Sequence, residues 1–431
     1  MQLNLEDIYS RFLATGNLTT DTRKIEKDCI FLALKGDHFN GNAFAAEALD
    51  KGARYAIIDD PAFATNDRLL LVDDTLITLQ QLARHHRKQL KIPVIGITGS
   101  NGKTTTKELM HAVLSRKYKT IATAGNLNNH IGVPLTLLSI RPDTEMAIVE
   151  MGANHEGEIA QLSRIASPGF GLITNIGKAH LEGFGSLEGV IRAKSELFTF
   201  IHETDGRIFL NSDDALLMRL AGETNTITYG TKPGAFCHGR SLDTHPYAAV
   251  QWNSPDGAPV INTRLVGSYN FENIMAALCA GQYFGVNTSD ICSAIEAYQP
   301  ANNRSQTLDT AQNHLIMDAY NANPTSMKAA ILNFRQVESQ SKMVIIGDMF
   351  ELGDESPVEH AEVVRLLEES HFKNVLLVGP RFGSTAIPTH FTAFPSPSAA
   401  KAWLKEHPVK GYTILVKGSR GIHLEELVEA L

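Results

Sequence analysis

Ile92-Pro93-Val94-Ile95-Gly96-Ile97-Thr98-Gly99-Ser100-Asn101-Gly102-Lys103-Thr104-Thr105-Thr106 is the stretch on which the reading of this chain turns. A run of strand length, rich in Val and Ile, breaks into Gly, Ser and Asn and then passes into Lys, Thr and a helix-compatible segment, Lys107 to Leu114. Strand, loop and helix in that order make a nucleotide phosphate site. Glycines admit a phosphate close to the backbone, the first helical turn offers unpaired N–H donors, and a lysine adds a positive charge. Lys103 suits the β- and γ-phosphates of ATP and is expected to face solvent until they arrive. The Thr104 hydroxyl would reach a Mg²⁺ bridging them. Gly99-x-x-Gly102-Lys103-Thr104-Thr105 is a short form of the phosphate-loop pattern, with Ile97 where the longer form has glycine. The bland alternative is a Gly-rich turn with a solvated lysine, and the strand before it and helix after it speak against that.

Around this stretch lie 431 residues, 43% apolar and 20% charged, enough for two or three domains. Net charge is −8 and the basic residues form no long block, which argues against nucleic acid or an anionic membrane as partner. The start, Met1-Gln2-Leu3-Asn4-Leu5-Glu6-Asp7, carries acids where a signal peptide carries basic residues, and no apolar run reaches spanning length. Cys29, Cys237, Cys279 and Cys292 are scattered without metal-type pairing, so they are expected to be core thiols of a cytoplasmic protein.

Short apolar runs alternate with helical stretches along the whole chain, which predicts an α/β protein. Strands are expected at Cys29 to Leu34, Tyr55 to Ile58 and Leu69 to Val72, with helices from Phe44 to Lys51 and Leu76 to Lys88. These form a first unit, 1–90. A second, 91–300, repeats the rhythm with strands near Thr120 to Thr123, Met146 to Met151, Phe170 to Asn175 and Arg207 to Asn211. A polar linker, Tyr298 to Asn303, leads into a third unit, 301–431, with strands at His314 to Asp318, Met343 to Gly347, Val375 to Gly379 and Thr413 to Val416. Ligands of such sheets sit at the C-terminal strand ends. There stand Glu150, a second hold on Mg²⁺ or an acid capping the next turn, and His180 after Gly177-Lys178-Ala179. Thr19 to Arg23 and Lys35 to Gly41 could be simple capped turns.

Several stretches together resemble the Mur ligase family, ATP-dependent amide-forming enzymes of peptidoglycan synthesis. They are Asp21-Thr22-Arg23, Ala33-Leu34-Lys35-Gly36, the phosphate loop, Asn126 to Pro134, Glu150-Met151-Gly152, Gly177 to His180, Ala193-Lys194-Ser195-Glu196, Arg304, Asp318 to Pro324, Gly347 to Gly353 and Lys417 to Arg420. The runs Tyr320-Asn321-Ala322-Asn323-Pro324 and Gly347-Asp348-Met349-Phe350-Glu351-Leu352-Gly353 are similar to those of the branch that joins D-alanyl-D-alanine to UDP-N-acetylmuramoyl-tripeptide. The resemblance implies a small N-terminal α/β domain binding the uridine diphosphate end, a central phosphate-loop ATPase domain with a largely parallel sheet, and a C-terminal Rossmann-like domain.

Carried over residue by residue, it implies that Asp21, Thr22, Arg23, Lys35 and Gly36 bind the uridine diphosphate, and that Asn128 and Asn129 meet the sugar-peptide. Gly99, Ser100, Asn101, Gly102, Lys103, Thr104 and Thr105 hold phosphates, with Asn270 and Asn273 near the adenine and Arg304 and Asp318 reaching ATP across a domain junction. Thr104, Glu150, His180 and Lys194 would organise Mg²⁺, Lys194 as a carbamate formed with carbon dioxide. Tyr320, Asn321, Asn323, Lys417 and Arg420 would bring dipeptide and acceptor together. The reaction implied passes through an acyl phosphate and needs no protein nucleophile, in a protein expected to be a monomer. Two rival readings stay open: another ligase of the superfamily, adding one amino acid or glutamate, and a nucleotide-dependent switch that hydrolyses ATP to change its hold on a partner. The chain departs from the family pattern at Tyr269, where histidine commonly precedes Asn270, and at Asn40 and Asn42, where Asp and His are common.

Overall fold

The computed structural model describes residues 4–301 and 303–431. Met1 to Leu3 of the acidic start and Asn302 of the expected linker lie outside the described residues. Three main sheets follow one another along the chain. The first has four parallel strands in the order Leu18–Thr19, Ile30–Leu32, Tyr55–Ile58, Leu69–Leu71, with an exposed hairpin of Lys35–Gly36 and Phe39–Asn40 beside it. Its closing helix, Thr75–Gln89, turns its apolar face (Leu79, Leu82, Ala83) onto the central helices Gly132–Leu138 and Glu158–Ala166. Arg87 fastens that contact by donating from Nε to the Ala166 carbonyl at 2.9 Å and from a terminal nitrogen to that of Ser167 at 3.0 Å.

The second sheet has nine strands. From one edge they run Thr120–Ala122, Met146–Glu150, Val94–Thr98, Phe170–Ile173, Arg207–Asn211, Thr226–Gly230, Cys237–Leu242, Tyr247–Asn253 and Val260–Val266. Val94–Thr98 and Met146–Glu150 are buried at every position, as strands covered by helices on both faces must be. After Val94–Thr98 the chain first builds outward on one side and then returns to pair Phe170–Ile173 on the other. The order reverses there, opening a crevice at the C-terminal end of Val94–Thr98.

The pairings are parallel as far as Cys237–Leu242, and the last two are antiparallel. The expected strand positions match the structure in all three units to within a residue or two, but the four strands from Thr226 to Val266 were not anticipated. His238, Arg240, Gln251, Asn262 and Arg264 interrupt their buried residues, and the apolar run among them, Tyr247 to Val250, is short.

The third sheet runs Gln306–Asp309, His314–Asp318, Thr413–Lys417, Lys342–Gly347, Asn374–Val378, Thr392–Phe394, parallel except for the first pair. The last strand in sequence thus lies between two made earlier. Asp318 and Lys417 end up side by side at their strand tips, where their register pairs them. No helix among the described residues is long and apolar enough to cross a membrane. The four cysteines are free, with Cys29, Cys237 and Cys279 buried and Cys292 partly so.

Candidate active site

The phosphate loop is held from behind by the end of strand Phe170–Ile173. Ser100 N–H donates to the Asn175 carbonyl at 2.9 Å and Asn101 N–H to Asn175 Oδ1 at 3.0 Å, while Thr174 Oγ1 donates to the Asn101 carbonyl at 2.6 Å. Gly99 has φ +144°, and a Cβ there would lie 2.0 Å from Thr174 Oγ1. Gly102 has φ +78°, and its Cβ would lie 2.4 Å from Asn273 Oδ1. Both positions therefore exclude a side chain on conformation and on space. Helix Lys103–Leu114 begins directly after, so the N–H groups of its first turn have no intrahelical acceptor and face the crevice.

Lys103 does not stand out in solvent as expected. Its Nζ donates to the Gly99 carbonyl at 2.7 Å and to that of Ser100 at 3.4 Å, folded back over its own loop. Burial lowers its pKa, the Glu150 carboxylate opposes that shift, and the positive charge of Arg304 adds a smaller push downward. The carbonyls of the tight loop are acceptors within reach of this side chain. Asn273 and Asn270 sit below the loop. Thr106 Oγ1 donates to Asn273 Oδ1 at 3.0 Å, Asn273 Nδ2 to Asn270 Oδ1 at 2.9 Å, and Asn270 Nδ2 to the Val266 carbonyl at 2.9 Å. These two asparagines brace the loop helix as well as lining the cleft.

Glu150 ends its strand fully buried, with its N–H donating to Thr123 Oγ1 at 3.0 Å. Its Oε1 accepts from Asn128 Nδ2 at 2.8 Å and from Thr104 Oγ1 at 3.2 Å, but its buried Oε2 accepts no hydrogen bond. A bare carboxylate oxygen beside a phosphate loop is the donor type Mg²⁺ takes, together with a hydroxyl and substrate phosphates. Among the described residues no three His, Cys, Asp or Glu side chains converge as a ready-made metal cage. A Mg²⁺ here would thus depend on phosphate oxygens. Asn128, expected at the sugar-peptide, is bound to Glu150, and Asn129 Oδ1 accepts from Gly132 N–H at 2.9 Å to open helix Gly132–Leu138.

Lys194, on helix Leu187–Glu203, is 1% exposed. Its Nζ has no hydrogen-bond partner and lies 5.3 Å from the Phe184 ring centre. Burial, reinforced by the charge of Lys103, lowers its pKa to about 7. Glu196, two residues on, accepts from Gly157 N–H at 2.6 Å and Ala160 N–H at 2.8 Å, so it secures the start of helix Glu158–Ala166. His180, in the left-handed region at φ +52°, places Nδ1 2.5 Å from Oε2 of Glu351 in the third unit. The ring holds the Glu351 carboxyl below the usual range.

From the third unit, Asn323 Nδ2 donates to Asn101 Oδ1 at 2.7 Å, joining the start of helix Pro324–Gln336 to the phosphate loop. Lys178 Nζ lies 2.6 Å from Glu359 Oε1 across the same junction. Behind Asn323, Asp318 Oδ2 accepts from Lys417 Nζ at 2.6 Å. Tyr320 is flanked by two guanidinium groups, Arg304 at 3.5 Å and Arg420 at 5.1 Å from its ring centre. Tyr269, replacing the family's histidine, places its hydroxyl 3.1 Å from Ser305 Oγ at the same seam.

A cleft of about 780 Å³ runs between these two sets of residues. Ser100 to Thr105, Asn128, Asn129, Glu150, His180, Asn270, Asn273, Arg304, Asp318, Tyr320, Asn321, Asn323 and Lys417 line it. Gly99, Lys194 and Arg420 are not in its lining, nor are Asp21, Thr22, Arg23, Lys35 and Gly36 of the first unit. Those last residues are engaged locally or exposed. Arg23 forks onto Asp21 through two 2.9 Å bonds, the Thr22 carbonyl accepts from Lys51, Lys35 pairs with Asp59 at 2.8 Å, and Gly36 lies in the exposed hairpin. Asn42 spans Asn40 Oδ1 and Asp59 Oδ1 at 2.8 Å each.

Three family patterns match the chain: "Mur ligase family, catalytic domain" over residues 15–110, "Mur ligase middle domain" over 97–281, and "Mur ligase, glutamate ligase domain" over 303–420. The UDP-N-acetylmuramoyl-tripeptide–D-alanyl-D-alanine ligase of Bacillus subtilis is 38% identical, covering 96% of this chain and 92% of its own length. Its Escherichia coli counterpart is 35% identical, covering 96% and 93%. Among solved structures, MurF from Acinetobacter baumannii superposes with a TM-score of 0.85 at 34% identity over 96% of this chain and 93% of that one. MurF ligase from Thermotoga maritima in complex with ADP does so with a TM-score of 0.84 at 27% identity, over 97% of each.

Proposed function

Since the chain belongs to the Mur ligase family, we propose that it is the ATP-dependent, ADP-forming ligase that joins D-alanyl-D-alanine to UDP-N-acetylmuramoyl-tripeptide in peptidoglycan precursor synthesis. What carries this reading is the cleft itself. A phosphate loop and a buried carboxylate with an open oxygen share the cleft with Tyr320, Asn321 and Asn323, and Asn323 is bonded to Asn101 across the gap. Neither half makes a ligase alone. On this reading the domains run 1–90, 91–300 and 301–431, and the protein works as a monomer in the cytoplasm on small-molecule substrates.

Lys103 and the first-turn N–H groups hold the terminal phosphate of ATP while the acceptor's carboxylate attacks it, giving an acyl phosphate and ADP. The dipeptide amine then takes the acyl group and phosphate leaves. Arg304 and Lys103 supply positive charge from opposite sides of the junction, and Asn270 and Asn273 keep the loop helix in place beneath. Glu150 Oε2 and the Thr104 hydroxyl would hold Mg²⁺, which neutralises phosphate charge when bound. Lys194 is suited to carbamate formation because its amine is buried, unpartnered and readily deprotonated. The resulting anion would lie within reach of the Lys103 charge. His180, whose Nδ1 pairs with Glu351 across the junction, completes this set.

The reaction is tested with ATP, D-alanyl-D-alanine and UDP-tripeptides carrying either meso-diaminopimelate or lysine in third place. Phosphate should appear only when both acceptor and dipeptide are present. Release with neither would point to a switch, and equal turnover with single amino acids to another ligase.

Glu150→Gln keeps the volume but removes the anionic oxygen. Turnover is expected to fall by roughly 10²-fold and to recover only in part at raised Mg²⁺, measured as a Mg²⁺ titration of initial rates. A loss that stays constant across the titration would leave Glu150 a turn-capping role only.

A further inference from the structure

Helix Lys103–Leu114 buries Thr106, Lys107, Met110, Val113 and Leu114 on one face, and Lys107 is the misfit among them. It is 2% exposed. Its Nζ donates to the Thr123 carbonyl at 2.8 Å and to that of Gly125 at 3.3 Å, lies 3.8 Å from Glu108 Oε1, and stands 3.7 Å from Glu150 Oε2. Two carbonyls alone do not call for a full positive charge in a core, because a neutral donor would satisfy them at a smaller desolvation cost. Glu108 is partly exposed and accepts from the Tyr298 hydroxyl, so the fully buried Glu150 is the neighbour that does. Its Oε1 is hydrogen-bonded twice, and its Oε2 is buried without any hydrogen bond. A buried carboxylate in that condition needs a counter-charge.

The 3.7 Å separation matters as much as the charge. It lies beyond hydrogen-bond range, so Lys107 offsets the charge of Oε2 without occupying its lone pairs. A lysine in direct contact would have to be displaced before a metal could bind. We propose that Lys107 is a positioning residue that stands in for the divalent cation in the metal-free enzyme, stabilising Glu150 while leaving Oε2 open to be ligated. This rests on the reading of Glu150 as a metal ligand.

The test is thermal melting of the full chain in four forms, the parent, Lys107→Met, Glu150→Gln and the double variant, each without divalent metal and with MgCl₂ plus a non-hydrolysable ATP analogue. Without metal, Lys107→Met is expected to lower the melting temperature by on the order of 5–10 °C. The double variant should recover at least half of that loss, because a neutral pair needs no counter-charge. The increment given by Mg²⁺ and analogue should be larger in Lys107→Met than in the parent, since the metal then replaces the missing charge. An equal loss from Lys107→Met in the parent and Glu150→Gln backgrounds, with an unchanged increment, would reduce Lys107 to a tether for residues 123–125 and overturn the proposal. Should Lys107→Met fail to fold, a folded double variant supports the proposal and an unfolded one overturns it. The metal-ligand reading fails separately. If Mg²⁺ adds the same increment to Glu150→Gln as to the parent, that reading and the stand-in role fall together, while the melting cycle still reports any coupling of Lys107 to Glu150.

Discussion

Lys103→Ala should reduce amide formation by on the order of 10³-fold, equivalent to about 4 kcal/mol of lost transition-state stabilisation. The size follows from where the charge is needed. Phosphoryl transfer leaves little covalent work for the protein, so a cation fixed on the β- and γ-phosphates accounts for much of what the site does. The structure adds a second consequence. Lys103 Nζ lies over its own loop, donating to the Gly99 and Ser100 carbonyls, where a phosphate held by the loop would come within its reach. The alanine variant should therefore lose ATP affinity as well as turnover, while its fold persists because Asn175, Thr174 and Asn273 still hold the loop. Initial rates at saturating substrates and calorimetric titration with ATP measure the two losses. Turnover within a few-fold of the parent would remove the phosphate-loop argument.

Lys194→Ala is expected to cost roughly 10²- to 10³-fold in turnover, with part of the activity restored by a short carboxylic acid that fills the vacated space with oxygen ligands. Carbamate formation joins the neutral amine to carbon dioxide and releases a proton. Its pH dependence follows from the amine. With a folded pKa of about 7 against an ordinary 10.5, Lys194 sheds its proton as pH rises through about 7, so capture of carbon dioxide should rise across that same range. The sign for stability agrees: between about pH 7 and 10.5 the unfolded chain binds the proton that the native chain has lost, so the unmodified fold gains stability as pH rises. Labelled bicarbonate should give a carbamate carbon resonance in the parent and none in Lys194→Ala. An alanine variant with ordinary kinetics, or a parent indifferent to removal of carbon dioxide, would sink the idea.

Much of the fold was legible because the chain announces it in short apolar runs ending in glycine or a polar residue. Val94 to Thr98 followed by Gly99 gave strand and loop, and Met146 to Glu150 gave a strand with a carboxylate at its tip. Legibility failed where the pattern was tertiary. Polar or charged residues such as His238, Arg240, Gln251, Asn262 and Arg264 break up the buried residues of strands Cys237–Leu242 to Val260–Val266. Lys103 was expected in solvent because nothing in a sequence tells which carbonyls a long side chain will meet. Lys107 did leave a signal that could have been found. It falls in step with Thr106, Met110, Val113 and Leu114, and a lysine on the apolar stripe of a phosphate-loop helix asks for a buried partner. The pairing of His180 with Glu351 left none, being a contact between units far apart in the chain.

The placing of Thr413–Lys417 between His314–Asp318 and Lys342–Gly347 governs the order in which the molecule can be completed during synthesis. Those two neighbours share no hydrogen bonds with each other, and each presents a bare edge until the strand that fills the gap is translated, about 95 residues after Asp318. Closure of that sheet is a long-range step and must be slow compared with the local helices around it. The first two units precede the third in synthesis, and Lys417 cannot meet Asp318 until strand Thr413–Lys417 is made. A nascent chain therefore carries a finished phosphate loop for a long interval before it owns the opposite wall of the cleft, and early termination anywhere before Thr413 yields a nucleotide-site fragment with two sticky strand edges.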